Sequence, residues 1–360
     1  MNELVIGRGV LDRVGELMRD RGLKGRAFLV SNDRIYPVYG ERVFAGLRDA
    51  GFETAAYQLP DGEPTKSLTW AGKLYDWLAE QRAERNDAVV ALGGGVVGDV
   101  TGFAAATFLR GMPLVQVPTT VLAQIDSSIG GKVAVNHPLG KNLIGAFHSA
   151  RLIVGDVETL RSLPPRELAA GWAEAVKCGM ILDPELLDLL DEHASGLCDP
   201  TSAVFRSSLL ADIVERCAEH KVRVVTADLR EANLRMILNY GHTIGHALEA
   251  ALNYEGLLHG EAVSVGMEGA AAIAVRLGFL AERDAERQSL VLQRFGLPTR
   301  FPAGAPPVSV DAVLDGIGHD KKVRDSRVQW VLLDRIGKTR IESGVPNRLV
   351  RAVVEELVTG

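Results

Sequence analysis

From the N-terminus to about residue 160, short runs of β-branched and apolar residues alternate with amphipathic stretches. AFLV at 27–30, AVVAL at 88–92, LVQVP at 114–118 and LIV at 152–154 are the runs, and their alternation with helical segments predicts an α/β domain with a parallel sheet. After LPPRE at 163–167 the pattern lengthens to helical periods over 168–182, roughly 203–222, 230–252 and 260–277. The chain therefore reads as two domains, an α/β domain over 1–160 and a mainly α-helical one over 161–360. FPAGAPP at 301–307 reads as a loop, and RVQWVLLD with KTRIES near the end as a short hairpin.

One helical pattern carries an unusual set of polar positions. In RMILNYGHTIGHALEAAL, residues 235–252, almost every direction is apolar. Yet at about 100° per residue Glu231, Arg235, Asn239, His242 and His246 fall within one stripe roughly 80° wide. A buried helix with such an edge needs something to satisfy it.

Composition narrows what that something is. With 360 residues, 47% hydrophobic and 24% charged, the chain is long enough for two sizeable cores. A net charge of -6 argues against nonspecific nucleic-acid binding, so any cationic site is local and its ligand small. Cys178, Cys198 and Cys217 are odd in number and lack paired metal spacing, which fits core filling in a reducing compartment. The first residues carry charges throughout and no long apolar run, so neither a signal peptide nor a membrane anchor is expected, and the expected location is cytoplasmic.

Three stretches hold the candidate chemistry. AVVALGGGVVGDVTGF reads as strand, glycine turn and helix, with Gly93, Gly94, Gly95 and Gly98 before Asp99; backbone amides at a helix start can approach a pyrophosphate. The turn is not the GxGxxG fingerprint and does not follow the first strand, so dinucleotide binding is open on this ground alone. DGEPTK at 61–66 and PTT at 118–120 lie where loops at the carboxyl ends of parallel strands would form a ligand crevice, although the former alone reads as a solvated turn. Residues 123–147 gather Asp126, Lys132, Lys141 and Asn142 around glycines and can hold an anion; the apolar residues Ile125, Ile129, Val133, Val135, Leu143, Ile144 and Phe147 argue against an exposed hairpin. Finally, Glu174 and Lys177 share a helix face, and a carboxylate with His242 and His259 offers ligand types that zinc accepts. His242 and His246 form an HxxxH pair, but Thr243 stands where a metalloprotease has Glu, which excludes that mechanism. Spacing alone leaves the ligand set open.

The ordered segments DGEPTK, GGGVVGD, LRGMPLVQVPTT, DSSIGGKVAVN, GKNLIGAFH, LPPREL, GWAEAVKCG, NYGHTIGHALE, HGEAVSVGM and HDKKV cover nearly the whole chain, and together they resemble the 3-dehydroquinate synthase family. The resemblance implies a nucleotide-binding α/β domain followed by a helical domain, with the active site in the cleft between them. It implies that Glu174, His242 and His259 hold a divalent metal, zinc or cobalt. It further implies an NAD site made of Asp61, Gly62, Glu63 and Lys66, of Gly94, Gly95, Val96, Val97, Gly98 and Asp99, and of Thr119, Thr120, Lys132, Lys141 and Thr159. Asp126 and Asn142 would lie between cofactor and substrate. Lys132, Lys177, Asn239 and His246 would meet the substrate phosphate, with Arg110 reaching in from a second copy in a homodimer. Arg235 and one of Lys321 or Lys322 would take the substrate carboxylate, while Lys221 and Glu231 would help to fix hydroxyls.

The implied substrate is a phosphorylated sugar acid, 3-deoxy-D-arabino-heptulosonate 7-phosphate, which needs cations at both ends. The implied reaction runs through transient oxidation by NAD, loss of phosphate, reduction and an intramolecular aldol closure. Two departures from the family pattern, DLREANLR at 228–235 and FHSA at 147–150, retain every residue assigned a role. Competing readings are another sugar phosphate cyclase, a metal-dependent NAD polyol dehydrogenase and a catalytically silent NAD-binding protein. Arg235 and the HDKKV lysines oppose the first, since its substrates lack a carboxylate. The number of phosphate-directed cations opposes the second, and retention of every metal and substrate candidate the third.

Overall fold

In the computed structural model, residues 3–228, 234–318, 323–324 and 327–359 are described. The chain divides into two compact units, Met1–Leu163 with Ser208–Thr226, and Pro164–Ser207 with Ala227–Gly360.

The first unit is built on a six-stranded sheet. Its strands are β1 (Glu3–Gly7), β2 (Ala27–Asn32), β3 (Thr54–Leu59), β4 (Ala88–Gly93), β5 (Leu114–Pro118) and β8 (Leu152–Asp156), between which the chain also forms β6 (Lys132–His137) and β7 (Gly140–Phe147). The sheet order is β1-β8-β5-β4-β2-β3 with every pairing parallel. Both faces are covered, and the two-residue period of a strand assigns side chains to them. Phe28, Val30, Val89, Ala91 and Ile153 enter one core, and Leu29, Val90, Leu92, Val115 and Val154 the other. Helices α1 (Val14–Asp20), α2 (Glu41–Asp49), α3 (Leu68–Glu80) and α4 (Gly95–Thr107) complete the layers. The chain leaves β2 toward β3 on one side and β4 toward β5 on the other, so the sheet reverses direction between β2 and β4. Ligand crevices form outside the carboxyl ends of strands at such a point.

The second unit is mainly helical: α5 (Pro165–Leu182), α6 (Pro184–Leu197), α7 (Ala203–Arg206), α9 (His242–Ala251), α10 (His259–Arg276), α11 (Glu282–Arg294), α12 (Val310–Gly318) and α13 (Asn347–Thr359). It also carries a two-residue strand pair, β9 (Val323–Arg324) with β10 (Arg327–Val328), and the hairpin β11 (Trp330–Arg335) and β12 (Lys338–Glu342) that the sequence predicts. The α/β-plus-helical class matches the expectation. Among the described residues no helix is long and apolar enough to cross a membrane.

Four expectations are corrected. The division at residue 160 ignores α8 (Ser208–Ala227), whose residues to Thr226 belong to the first unit. Ala218 is buried in a sheet core, Val222 packs against it, and Lys221 pairs with Asp126. The pattern expected at 203–222 is split at Ser207 into α7 and α8. The continuous helix expected over 230–252 is interrupted: Leu234–Asn239 forms a 3-10 turn, and Gly241, with φ 78°, starts α9 afresh. The single stripe therefore survives only within α9, while Glu231 lies outside the described residues. Finally, residues 132–147 do form a hairpin, on which Val133 and Val135 are buried but Leu143 and Phe147 are exposed.

Candidate active site

In the first unit, the candidate cofactor residues gather at the carboxyl ends of the strands. Asp61 to Lys66 follow β3, Gly94 to Asp99 follow β4, Thr119 and Thr120 follow β5, and Thr159 follows β8. Gly94 is the N-cap of α4 and has no side chain to cap the first amides, so those of Gly95, Val96 and Val97 remain suited to an anion. The Val97 side chain itself is buried in the core, which leaves only its backbone for such a contact. Beside this turn, Thr119 donates its backbone N–H to the Gly93 carbonyl at 3.0 Å. Its buried hydroxyl finds no hydrogen-bond partner among the described residues. An uncapped helix start next to an orphaned hydroxyl fits a phosphorylated cofactor.

Lys66 and Asp99 form a buried ion pair. Burial pushes the Asp99 carboxyl up, against the opposing pull of the Lys66 ammonium. Asp61 accepts from Asn32 Nδ2 at 2.7 Å, and Glu63 accepts from Asn136 Nδ2 at 2.6 Å. Through Asn136, whose Oδ1 also accepts from the Asn142 backbone at 3.0 Å, the DGEPTK loop is tied to the basic hairpin; Lys141 lies 3.8 Å from Glu63. Gly62 and Asn142 adopt left-handed backbone conformations. Lys132 is exposed at the start of β6. Thr159 is fully buried with its hydroxyl donating to Asp156 O and accepting from Gln124, which makes it a brace of the loop in this structure. Arg110 is exposed, and both it and Leu109 have positive φ, at 63° and 50°. Two adjacent non-glycine residues held there store strain of the kind found at functional sites.

In the second unit, α5, α9 and α10 bring one carboxylate and three imidazoles together. Close helix approach makes this possible. A Cβ on Gly260 would lie 1.8 Å from the Ala170 carbonyl oxygen on α5, and one on Gly266 would lie 1.9 Å from that of Gly241. Only glycine permits α10 to pack so near both neighbours. As a result His242 Nε2 and His259 Nε2 face Glu174 Oε1 at 3.4 and 3.5 Å. The donor atoms of the three residues lie within 4.8 Å of one another. The His246 ring, exposed, is 5.1 Å from that of His242 and 6.0 Å from that of His259. A second trio, His246, Glu249 and His259, meets the same distance limit.

Glu174 is 3% exposed, and Lys177, one turn along α5, pairs with its Oε2. Its other oxygen, Oε1, is the one that faces the two imidazoles. Burial pushes Glu174 up, but the Lys177 ammonium and the two histidines outweigh it and hold the carboxyl well below its usual range. Burial and Lys177 push His242 down, against Glu174. His259 is also opposed by burial, yet Glu174 and Glu249 push it up to about 10. A buried, ionised carboxylate whose Oε1 faces two imidazole nitrogens is a donor set of the kind that binds a zinc-type ion with room for a further ligand.

Arg235 is buried and its backbone N–H donates to Asp228 at 3.0 Å; Asn239 is half-buried at the end of the same 3-10 turn. Lys321 and Lys322 lie outside the described residues. Glu249 and the Tyr240 carbonyl, which no sequence motif singles out, contact His259 and His242 through their Nδ1 atoms. Glu249 stands seven residues after His242 on α9, a spacing that places both on one helix face.

Two family models cover most of the chain, one described as 3-dehydroquinate synthase N-terminal over residues 56–170 and one as 3-dehydroquinate synthase C-terminal over 171–323. A 3-dehydroquinate synthase from Nostoc punctiforme is 48% identical over 353 residues, covering 98% of this chain and 96% of that protein. Among solved structures, 2-epi-5-epi-valiolone synthase from Streptomyces hygroscopicus subsp. jinggangensis 5008, with NAD+ and Zn2+ bound, superposes with a TM-score of 0.90 at 27% identity, over 100% of this chain and 97% of that one. A 2-deoxy-scyllo-inosose synthase complexed with carbaglucose-6-phosphate, NAD+ and Co2+ gives 0.86 at 28% identity, over 98% and 96%. With both halves matched and the sequence shared along its length with such a relative, the chain belongs to the 3-dehydroquinate synthase family.

Proposed function

We propose that the chain converts 3-deoxy-D-arabino-heptulosonate 7-phosphate to 3-dehydroquinate and phosphate, using NAD that is restored in each turnover and a divalent ion held by Glu174, His242 and His259. What carries the reading is Glu174, a buried, ionised carboxylate whose Oε1 stands opposite the Nε2 atoms of His242 and His259, in a chain of this family. When bound, NAD supplies a temporary hydride acceptor and the ion a Lewis acid for the hydroxyl being oxidised.

The protein's own side chains bind and orient. The start of α4 and Thr119 receive the cofactor's phosphates, and the Lys66–Asp99 pair fixes the neighbouring loop. Lys177, Asn239 and His246, with Lys132 and with Arg110 from a second copy, engage the substrate phosphate. Oxidation at C5 acidifies the C6 hydrogen, which a phosphate oxygen of the substrate can accept as the C7–O bond breaks, so the residues need only hold that phosphate in place. Arg235 takes the substrate carboxylate, a group that sedoheptulose 7-phosphate and glucose 6-phosphate lack. Asp126, held by Lys221, and Asn142 complete the surroundings of the reacting hydroxyls. The assembly we infer is a homodimer, in the cytoplasm.

The test is an assay of purified protein with the heptulosonate phosphate, zinc and NAD far below substrate concentration. Phosphate and the carbocycle are expected in equal amounts, with no net NADH and no turnover of sedoheptulose 7-phosphate or glucose 6-phosphate. Accumulating NADH, or cyclisation of the substrates lacking a carboxylate, would contradict the proposal.

A further inference from the structure

On α9 the residues His242, His246 and Glu249 recur at spacings of four and three and so share a face. Glu249 is only 6% exposed. Its Oε2 lies 3.2 Å from His259 Nδ1, while Nε2 of the same ring stands 3.5 Å from Glu174 Oε1. An imidazole that offers Nε2 as a lone pair carries its proton on Nδ1, and that N–H needs an acceptor. His242 meets the same requirement with backbone: its Nδ1 is 3.0 Å from the Tyr240 carbonyl oxygen.

We propose that Glu249 is a positioning residue for the metal centre, accepting the His259 Nδ1–H and so fixing the ring rotation and tautomer that aim Nε2 at the ion. The inference rests on Glu174, His242 and His259 being the ligands. The two histidines differ in what holds them. His242 is buried and braced by backbone, whereas His259 opens α10 with its side chain 30% exposed, and a carboxylate must replace the missing backbone brace. A charged acceptor also raises the donor strength of the opposite nitrogen. Because His246, Glu249 and His259 themselves form a compact trio, direct ligation by Glu249 is the rival that the experiment must separate.

The experiment compares Glu249→Ala and Glu249→Gln with the parent, and with Glu174→Ala and His242→Ala as references. Zinc affinity is read by competition with a chromophoric chelator, geometry by the visible spectrum of the Co2+-loaded proteins, and integrity by NAD affinity and the metal-free melting midpoint. Glu249→Ala is expected to weaken zinc about 10- to 100-fold and to shift the cobalt bands, with NAD affinity and melting unchanged. Glu249→Gln, which keeps an acceptor for Nδ1–H, should recover most of that loss. Parent-like affinity in Glu249→Ala overturns the inference, and so does a Glu249→Gln protein as empty as His242→Ala, which would make Glu249 a ligand. If the alanine variant does not fold, Glu249→Leu, which keeps the bulk and removes the acceptor, takes its place: weakened zinc with altered cobalt bands supports positioning, and parent-like affinity and bands overturn it. Zinc held equally by His242→Ala and the parent would instead remove the ligand set itself.

Discussion

Lys66 and Asp99 show how much a single side chain in this chain is asked to do. Both are largely buried, and burial has already pushed the Asp99 carboxyl above its ordinary value of 3.8. A carboxyl raised in the fold binds its proton more tightly there than in the unfolded chain. Its contribution to stability is therefore complete below that ordinary value and is lost as pH rises through the folded one. Lys66→Met removes the partner that, among the described residues, opposes the rise that burial causes in Asp99. It should cost about 3–5 kcal/mol at neutral pH and less toward pH 4, as the carboxyl takes up its proton and loses the charge that Lys66 balances. Urea unfolding at the two pH values checks this, and an equal loss at both would contradict it. At this scale much was legible in the sequence. Glu174, His242, His246 and His259 could be picked out by residue type, and the structure brings them together. Glu249 was not legible, because a lone glutamate on a helix reads as solvated unless the burial of its neighbours is known.

Elements were legible where their period was strong and their ends were marked. The four apolar runs became β2, β4, β5 and β8, but β1 and β3 are edge strands whose positions are mostly half-buried, with exposed Glu3 and Gln58 weakening the pattern. The break at Gly241 went unseen because apolar residues continue across it at helical spacing, while the left-handed turn that resets α9 follows from packing against α10. That packing yields a prediction. With its Cβ 1.8 Å from a backbone carbonyl, Gly260→Ala must push α10 off α5, costing about 1–3 kcal/mol or more. It should weaken zinc retention as well, since His259 moves with the helix. Gly304→Ala, at a position with open space around it, is the control expected to change neither. Unchanged zinc affinity in a destabilised Gly260→Ala protein would show that the centre does not depend on this contact.

Across the whole molecule, the fold class followed from the switch between strand-rich and helix-rich halves, and the membership of α8 did not. A helix that returns to the first unit after an excursion through the second is set by tertiary contacts such as Lys221 with Asp126, which local pattern does not encode. The net charge of -6 likewise conceals the cations that the reaction requires, because they are concentrated on few elements. The chemistry depends on the metal ligand set, and anomalous diffraction at the zinc edge from zinc-loaded crystals addresses that set most directly. The expected result is one strong peak about 2.0–2.2 Å from Glu174 and from the Nε2 atoms of His242 and His259. A peak held by His246, Glu249 and His259 instead, or none at Glu174 in protein that turns over substrate, would contradict it.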